Sequence, residues 1–250
     1  MLRHQGSKRT YRHNVKLASL LGMAAGFVNA AGFLGFATLT TNVTGHAALF
    51  AEKIASQDWG NARVVALWMV LFLAGAFVSS LIVTRVGRNQ QYSYAIPILI
   101  EVLVLLGVAI EGHRYDQSIV SKEVFAGSLL FIMGLQNALV SIVSGSVVRT
   151  THLTGTFTDL GIELAQVFNR DSKDKTALRS GIKLRLVVIV FFMGGALGGA
   201  YLFHGWSLRC FFLPAGLLVF ALCYDILRVT IKRAYRQWRR LSDQGIASQE

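Results

Sequence analysis

Acidic residues are scarce in this chain, 13 Asp and Glu against 25 Lys and Arg in 250 residues, and charge of either sign avoids long stretches altogether. No Asp, Glu, Lys or Arg falls in 17–51, 64–84, 124–148 or 186–208. Each stretch exceeds the roughly 20 apolar residues that cross about 30 Å of hydrocarbon, which excludes a soluble domain. Cysteine is nearly absent: Cys210 and Cys223 are the only two, and one helix carrying both holds them too far apart to bridge. That excludes a disulfide framework and leaves no metal site to read. Catalytic signatures are missing as well. There is no His-Glu-x-x-His, no Gly-x-Ser-x-Gly elbow and no Walker or dinucleotide fingerprint, and Ser144-Gly145-Ser146 lacks a base at a defined spacing. The expectation is a protein that is not an enzyme and carries no cofactor and no metal.

What is present is apolar. Hydrophobic residues make up 53% of the chain. Two more segments, about 92–111 and 208–229, are interrupted by Glu101 and Arg209 but otherwise suit a bilayer, giving six long spans and an all-α polytopic membrane protein. The basic residues Arg3, Lys8, Arg9, Arg12 and Lys16 precede the first span, whose length and lack of a small-residue cleavage site point to a retained helix rather than a signal peptide. With the N-terminus inside, 20 of the 25 basic residues fall on the cytoplasmic side. The net charge of +12 then sets orientation and gives no reason to invoke nucleic acid. The C-terminal run Arg228 to Arg240 interleaves cations with Tyr235 and Trp238, and reads either as a stop-transfer flank or as a helix lying on anionic lipid.

The chain is written twice. Gly26 to Ala55 returns in altered form from Gly134 to Ala165, each copy having an Asn in an apolar helix (Asn29, Asn137) followed by a Thr-rich turn. The turns are Thr41-Asn42-Val43-Thr44-Gly45 and Thr151-His152-Leu153-Thr154-Gly155. The small-residue run 73–80 corresponds to 193–200, and the only prolines, Pro97 and Pro214, fall in the last span of each half. The organisation read from this is a basic cytoplasmic N-tail (1–16), a first membrane repeat (17–111), an extracytoplasmic linker (112–122), a second repeat (123–229) and a basic cytoplasmic C-tail (230–250). Three spans per repeat is odd, so the second copy would lie upside down in the membrane. The rival is eight spans and parallel repeats, in which the segments 44–55 and 154–168 also cross. The first of these offers about a dozen residues, fewer than a span requires, which favours two re-entrant or interfacial helices.

The same residues carry a family resemblance. Gly134-Leu135-Gln136-Asn137-Ala138 with the run Arg149 to Leu160 closely resembles the second signature of the YoaK-like bacterial integral membrane family, a domain of unknown function. The first signature, Gly26 to Ala30 with Thr41 to His46, is similar at lower fidelity: Asn29 and His46 stand where the family often has Asp and Asn. The resemblance covers roughly 17–229 and implies a multi-spanning protein of the bacterial inner membrane with no established activity.

The repeated signature has a direct chemical reading. A Thr-rich turn opening a short helix places hydroxyl acceptors at the N-cap and leaves the first N–H groups to an anion or polar ligand. Asn29, Thr41, Thr44, Gly45, Asn137, Thr151, Thr154 and Gly155 are therefore the candidate substrate-binding residues, against the alternative that the two Asn side chains only tie helices together. Thr156 and Asp159 fit a weak capping box. Glu101, in mid-span, is the first candidate for proton coupling, and Asp159 and Glu163, one helical turn apart, are the others, against structural or solvated readings for all three. His46 and His152 read as turn residues. The functional expectation is a secondary transporter or channel for a small polar or anionic solute; the alternative is a non-transporting scaffold that binds lipids or a partner through its basic tails. Expected partners are the lipid bilayer, anionic lipids at the tails, the solute and further copies of the chain in a homo-oligomer.

Overall fold

The computed structural model describes residues 10–87, 92–168 and 175–224, and among these it is almost entirely helical, with no strand. The order is α1 (Tyr11–Phe36), α2 (Thr44–Ala55), α3 (Trp59–Val86), α4 (Tyr92–Glu111), α5 (Ile119–Ser144), α6 (Leu153–Phe168) and α7 (Lys175–Trp206). A further helix, α8, covers 212–224. The C-tail 230–250 and most of the N-tail lie outside the described residues. The first helix starts at Tyr11, so residues 11–16 of the predicted tail are its opening turns.

Five stretches are long and apolar enough to cross a membrane: α1, α3, Ser93–Arg114, α5 and Lys175–Tyr224. The last is 50 residues long. As one straight helix it would run about 75 Å, more than twice the hydrocarbon thickness. It is not straight: a 3-10 turn at Ser207–Phe211 breaks it, with Ser207 at φ 50°. Beyond the turn α8 runs back along α1, because the turn's Leu208 lies against Gly35 near the end of α1 while Lys16 Nζ, near its start, donates to the Tyr224 hydroxyl at 2.9 Å. The 12-residue α2 and 16-residue α6 are shorter than a span.

Two helix crossings hold the bundle. Trp68 and Leu71 meet Gly127, and Gly75 meets Phe131 and Leu135, so contacts advance together along α3 and α5 and these helices run parallel. Likewise Gly22 meets Val188, Gly26 meets Phe192 and Gly35 meets Phe203, so α1 and α7 run parallel. At both crossings backbone touches backbone. A Cβ on Gly26 would lie 2.8 Å from the Phe192 carbonyl carbon, and one on Gly134 equally close to that of Phe72. Only glycine allows this approach, the small-residue packing that replaces hydrophobic force between helices in lipid. By contrast α1 and α5 are antiparallel: Gln136 Nε2 donates to the Leu21 carbonyl at 2.9 Å, while Gly32 faces Leu129.

Burial follows from this arrangement. The helices α1 and α5 form the centre, with rows such as Leu17, Leu21, Ala24 and Val28 or Leu129, Ile132, Met133 and Val140 fully enclosed. On α3 and α7 one face packs inward and the other is apolar and bare, as at Val70, Leu73 and Phe77 or Val190, Leu197 and Tyr201. Such rows are what a helix presents to acyl chains.

Candidate functional site

The first turn folds back into the bundle. After α1 ends at Phe36, Ala37 takes a left-handed conformation (φ 53°) and the chain returns along the helix it has just left. Thr40 Oγ1 donates to the Val28 carbonyl at 3.2 Å and Thr41 Oγ1 to Asn29 Oδ1 at 2.9 Å. Gly32 lets the turn lie this close, since a Cβ there would sit 2.6 Å from Thr40 Cγ2. The α2 helix therefore begins about 10 Å below the end of α1, level with Asn29, and climbs back beside α3. His46, buried to 1% exposure, fixes its depth: the ring packs edge-on against Trp68 with centroids 5.8 Å apart. The Asn42 carbonyl only accepts, so His46 Nδ1 donates to it (2.9 Å), while Nε2 pairs with the Thr38 hydroxyl at 3.1 Å. His46 is thus a buried anchor, not an ordinary turn residue. The expected hydroxyl cap is corrected too: the Asn42 side-chain oxygen accepts from Gly45 N–H at 3.3 Å, because Thr41 is already committed to Asn29.

The second turn follows α5 and is built differently. Gly145, left-handed at φ 62°, ends the helix, and Ser144 Oγ both donates to the Val148 carbonyl and accepts its N–H, at 3.1 and 3.0 Å. The α6 helix opens at Leu153, so Thr156 and Asp159 are interior and the expected capping box does not form. Thr156 Oγ1 instead donates back to the His152 carbonyl at 3.0 Å.

Both turns reach one cavity of about 400 Å³. The first contributes Thr41, Asn42, Val43 and Thr44, the second Ser146, Arg149, Thr151 and His152; Asn137 and Ser141 add one face of α5, and Phe72, midway along α3, closes the wall. Of the candidate binding residues, Thr41, Thr44, Asn137 and Thr151 line the cavity. Asn29 lies behind Thr41, Gly45 bonds Asn42, Gly155 packs under the His152 ring, and Thr154 accepts from Thr158 Oγ1 through its carbonyl at 3.0 Å; none of the four is on the lining. Arg149 went unmarked in the sequence, where it reads as one more flanking cation. Among the described residues it is the one on the lining whose side chain is always charged, and no acid lines the cavity with it.

The candidate carboxylates stand elsewhere. Glu101 is fully buried on α4 and neither of its oxygens has a hydrogen-bond partner among the described residues. Asp159 and Glu163 both pair with Arg185 of α7, at 3.3 and 3.4 Å, and the same guanidinium donates to the Val147 carbonyl at 3.4 Å. One arginine thereby ties α6, α7 and the second turn together.

A family model described as a protein of unknown function (DUF1275) matches residues 17–224. The chain belongs to this family. The YoaK-like resemblance carried by its two Asn and Thr-Gly signatures is borne out by that match. No curated protein and no solved structure matches the chain. In this DUF1275 chain the matched region takes in both turns, the cavity and the glycine crossings, so the geometry above lies inside the family's own span.

Proposed function

We propose that the chain is a secondary transporter or channel for a small polar or anionic solute, built as six spans in two inverted three-span repeats in a bacterial inner membrane, with both termini cytoplasmic. The observation that carries this reading is the single cavity lined by both Thr-rich turns, at mid-depth on α3. Short helices that break off inside the bilayer and aim their N-termini at a common point are how many inverted-repeat transporters hold a solute. The antiparallel packing of α1 on α5, the corresponding first helices of the two copies, supports inversion. The turn at Ser207–Phe211 supports a sixth span over α8. Lys16, Arg85, Lys175, Arg179, Lys183 and Arg185 gather at the end where α1 and α7 begin and α3 finishes, as a cytoplasmic face would. At the opposite end Arg63 is paired with Glu123, Arg114 with Glu111, and Lys53 with Glu52 and Asp58.

Glu101 is the proposed coupling carboxyl. It is enclosed with no hydrogen-bond partner among the described residues, and carboxyls so placed in a span mark ion paths in membranes. Asp159 and Glu163, held by Arg185, serve in this reading as part of the inner closure and not as proton carriers. The test is uptake by proteoliposomes of the full chain, screened over labelled small anions and neutral polar solutes. A flux lost in Asn137→Ala at unchanged membrane abundance is the expected result. No flux for any solute, or a variant that loses only abundance, would favour the scaffold.

A further inference from the structure

We infer that the cavity is an oxyanion site, and that the second turn, not the first, provides the grip: Arg149 supplies the charge, with the Thr151 hydroxyl and the Asn137 amide as neutral donors. This rests on the cavity being the solute site and narrows the ligand from polar or anionic to a group bearing negatively charged oxygens. Four observations lead there. Thr151 is buried to 7% exposure and lines the cavity, yet its hydroxyl bonds no other described residue. Asn137 also lines the cavity, and its amide bonds no other described residue. Buried polar groups are ordinarily satisfied, so a hydroxyl left open on a cavity wall marks a place for a ligand or water to complete it. Arg149 lines the same cavity without an ion-pair partner among the described residues, so its charge is available.

The charge balance is one-sided. Among the described residues no Asp or Glu lines the cavity, and Thr44, the first residue of α2, and His152, just before α6, both lie on it, which adds the positive ends of two helix dipoles. The fixed charge there, a guanidinium and two helix N-termini, works against a cation. A guanidinium fork flanked by hydroxyl and amide donors matches the planar geometry of a carboxylate or the tetrahedral oxygens of a phosphate. In the first turn the Thr41 hydroxyl already donates to Asn29 and Asn42 Oδ1 already accepts from Gly45 N–H, and none of its lining residues is charged. The first turn therefore supplies neutral groups alone, and the second turn, with Arg149, the charge that binds. About 400 Å³ suits a small carboxylate or inorganic phosphate, or the headgroup of an anionic lipid.

The test is the thermal stability of the full chain in neutral detergent at constant ionic strength. Added probes are inorganic phosphate, acetate and succinate, with choline and erythritol as cationic and neutral controls and phosphatidylglycerol-doped micelles as a separate arm. A ligand that binds only the folded protein raises its melting temperature with concentration. The expected result is a rise with at least one oxyanion, an apparent affinity at least tenfold weaker in Arg149→Gln, partly kept in Arg149→Lys and weakened several-fold in Thr151→Val. Response to phosphatidylglycerol alone, lost in Arg149→Gln, keeps the oxyanion chemistry but assigns it to a lipid and removes transport of a free solute. Response to erythritol that depends on Asn137, with every oxyanion inert, overturns the inference and leaves the solute cavity standing. An oxyanion response undiminished in Arg149→Gln overturns the inference, and no response to any probe overturns both.

Discussion

The hairpin of α2 with α3 and that of α6 with α7 follow one plan, and they are fastened by different forces. In the first, the fastening is neutral and enclosed: His46 lies against Trp68 and joins Thr38 to Asn42, and Thr41 joins the turn to Asn29. In the second, it is charged and partly wet: Arg185, with 21% of its side chain exposed, reaches Asp159, Glu163 and the Val147 carbonyl. Buried neutral hydrogen bonds have no competitor in an apolar interior, whereas ion pairs in contact with water exchange with solvent and salt. Close glycine crossings are thus common to both hairpins, while their polar fittings differ. The half with the looser fastening also carries the cavity's charged donor, Arg149.

The largest effects should strike the shared frame and ignore the difference between halves. Gly26→Val and Gly134→Val each force a side chain into a facing backbone, and each is expected to cost about 3 kcal/mol or more, read as loss of folded monodisperse protein. Tolerance of either would mean that the crossings are looser than described. Next come the histidines, where the halves should part. His46→Ala removes one buried and one partly buried hydrogen bond and a ring from the packing, at about 2–3 kcal/mol. His152→Ala, at an exposed turn position, should stay within about 0.5 kcal/mol. Equal losses in a denaturant titration would erase the contrast.

The threonines sharpen it at smaller scale. Thr41→Val leaves the Asn29 carbonyl oxygen without its donor and is expected to cost about 1 kcal/mol. Thr151→Val removes a hydroxyl that bonds no described residue, so stability should be nearly unchanged while ligand response falls. A double-mutant cycle of Arg185→Gln with Glu163→Gln should give a coupling of about 1 kcal/mol that shrinks as salt rises. Salt-independent coupling would mean that this pair is as enclosed as the first hairpin's bonds.

The smallest effect lies at the start of α3. Hydrogen bonds from the Asn61 side chain and backbone hold the Asp58 carboxyl below its ordinary range near 3.8. A lowered value means stability present at neutral pH and lost as acid protonates the folded protein. The melting temperature of the parent should therefore fall more steeply than that of Asp58→Asn, but only below about pH 4. Parallel curves throughout would leave this cap without energetic weight.

Much of this was legible in the chain before folding. Uncharged runs announce the spans, and the paired Asn and Thr-Gly signatures announce where the helices break and which turns meet. What could not be read is register between segments distant in sequence. Arg149 reads as a flank because its place on the cavity depends on how far the second turn re-enters. His46 reads as a turn residue because its burial depends on Trp68, a partner on the second helix of the hairpin. Gln136, beside the conspicuous Asn137, is the residue that points to α1. Asp159 and Glu163 show the converse: their shared helical face was evident, but only the fold supplies Arg185 to occupy it.

The most direct test asks whether the two hairpins enter from opposite faces. Ser56, between α2 and α3, and Phe168, at the end of α6, are both exposed. With Cys210 and Cys223 replaced, Ser56→Cys and Phe168→Cys would each be treated with an impermeant thiol reagent in intact cells and in opened membranes. Opposed hairpins require Ser56→Cys to react in intact cells and Phe168→Cys only after opening. Reaction of both from the same face would mean that the short helices cross, that the repeats are parallel, and that the turns do not meet as half-helices at mid-membrane.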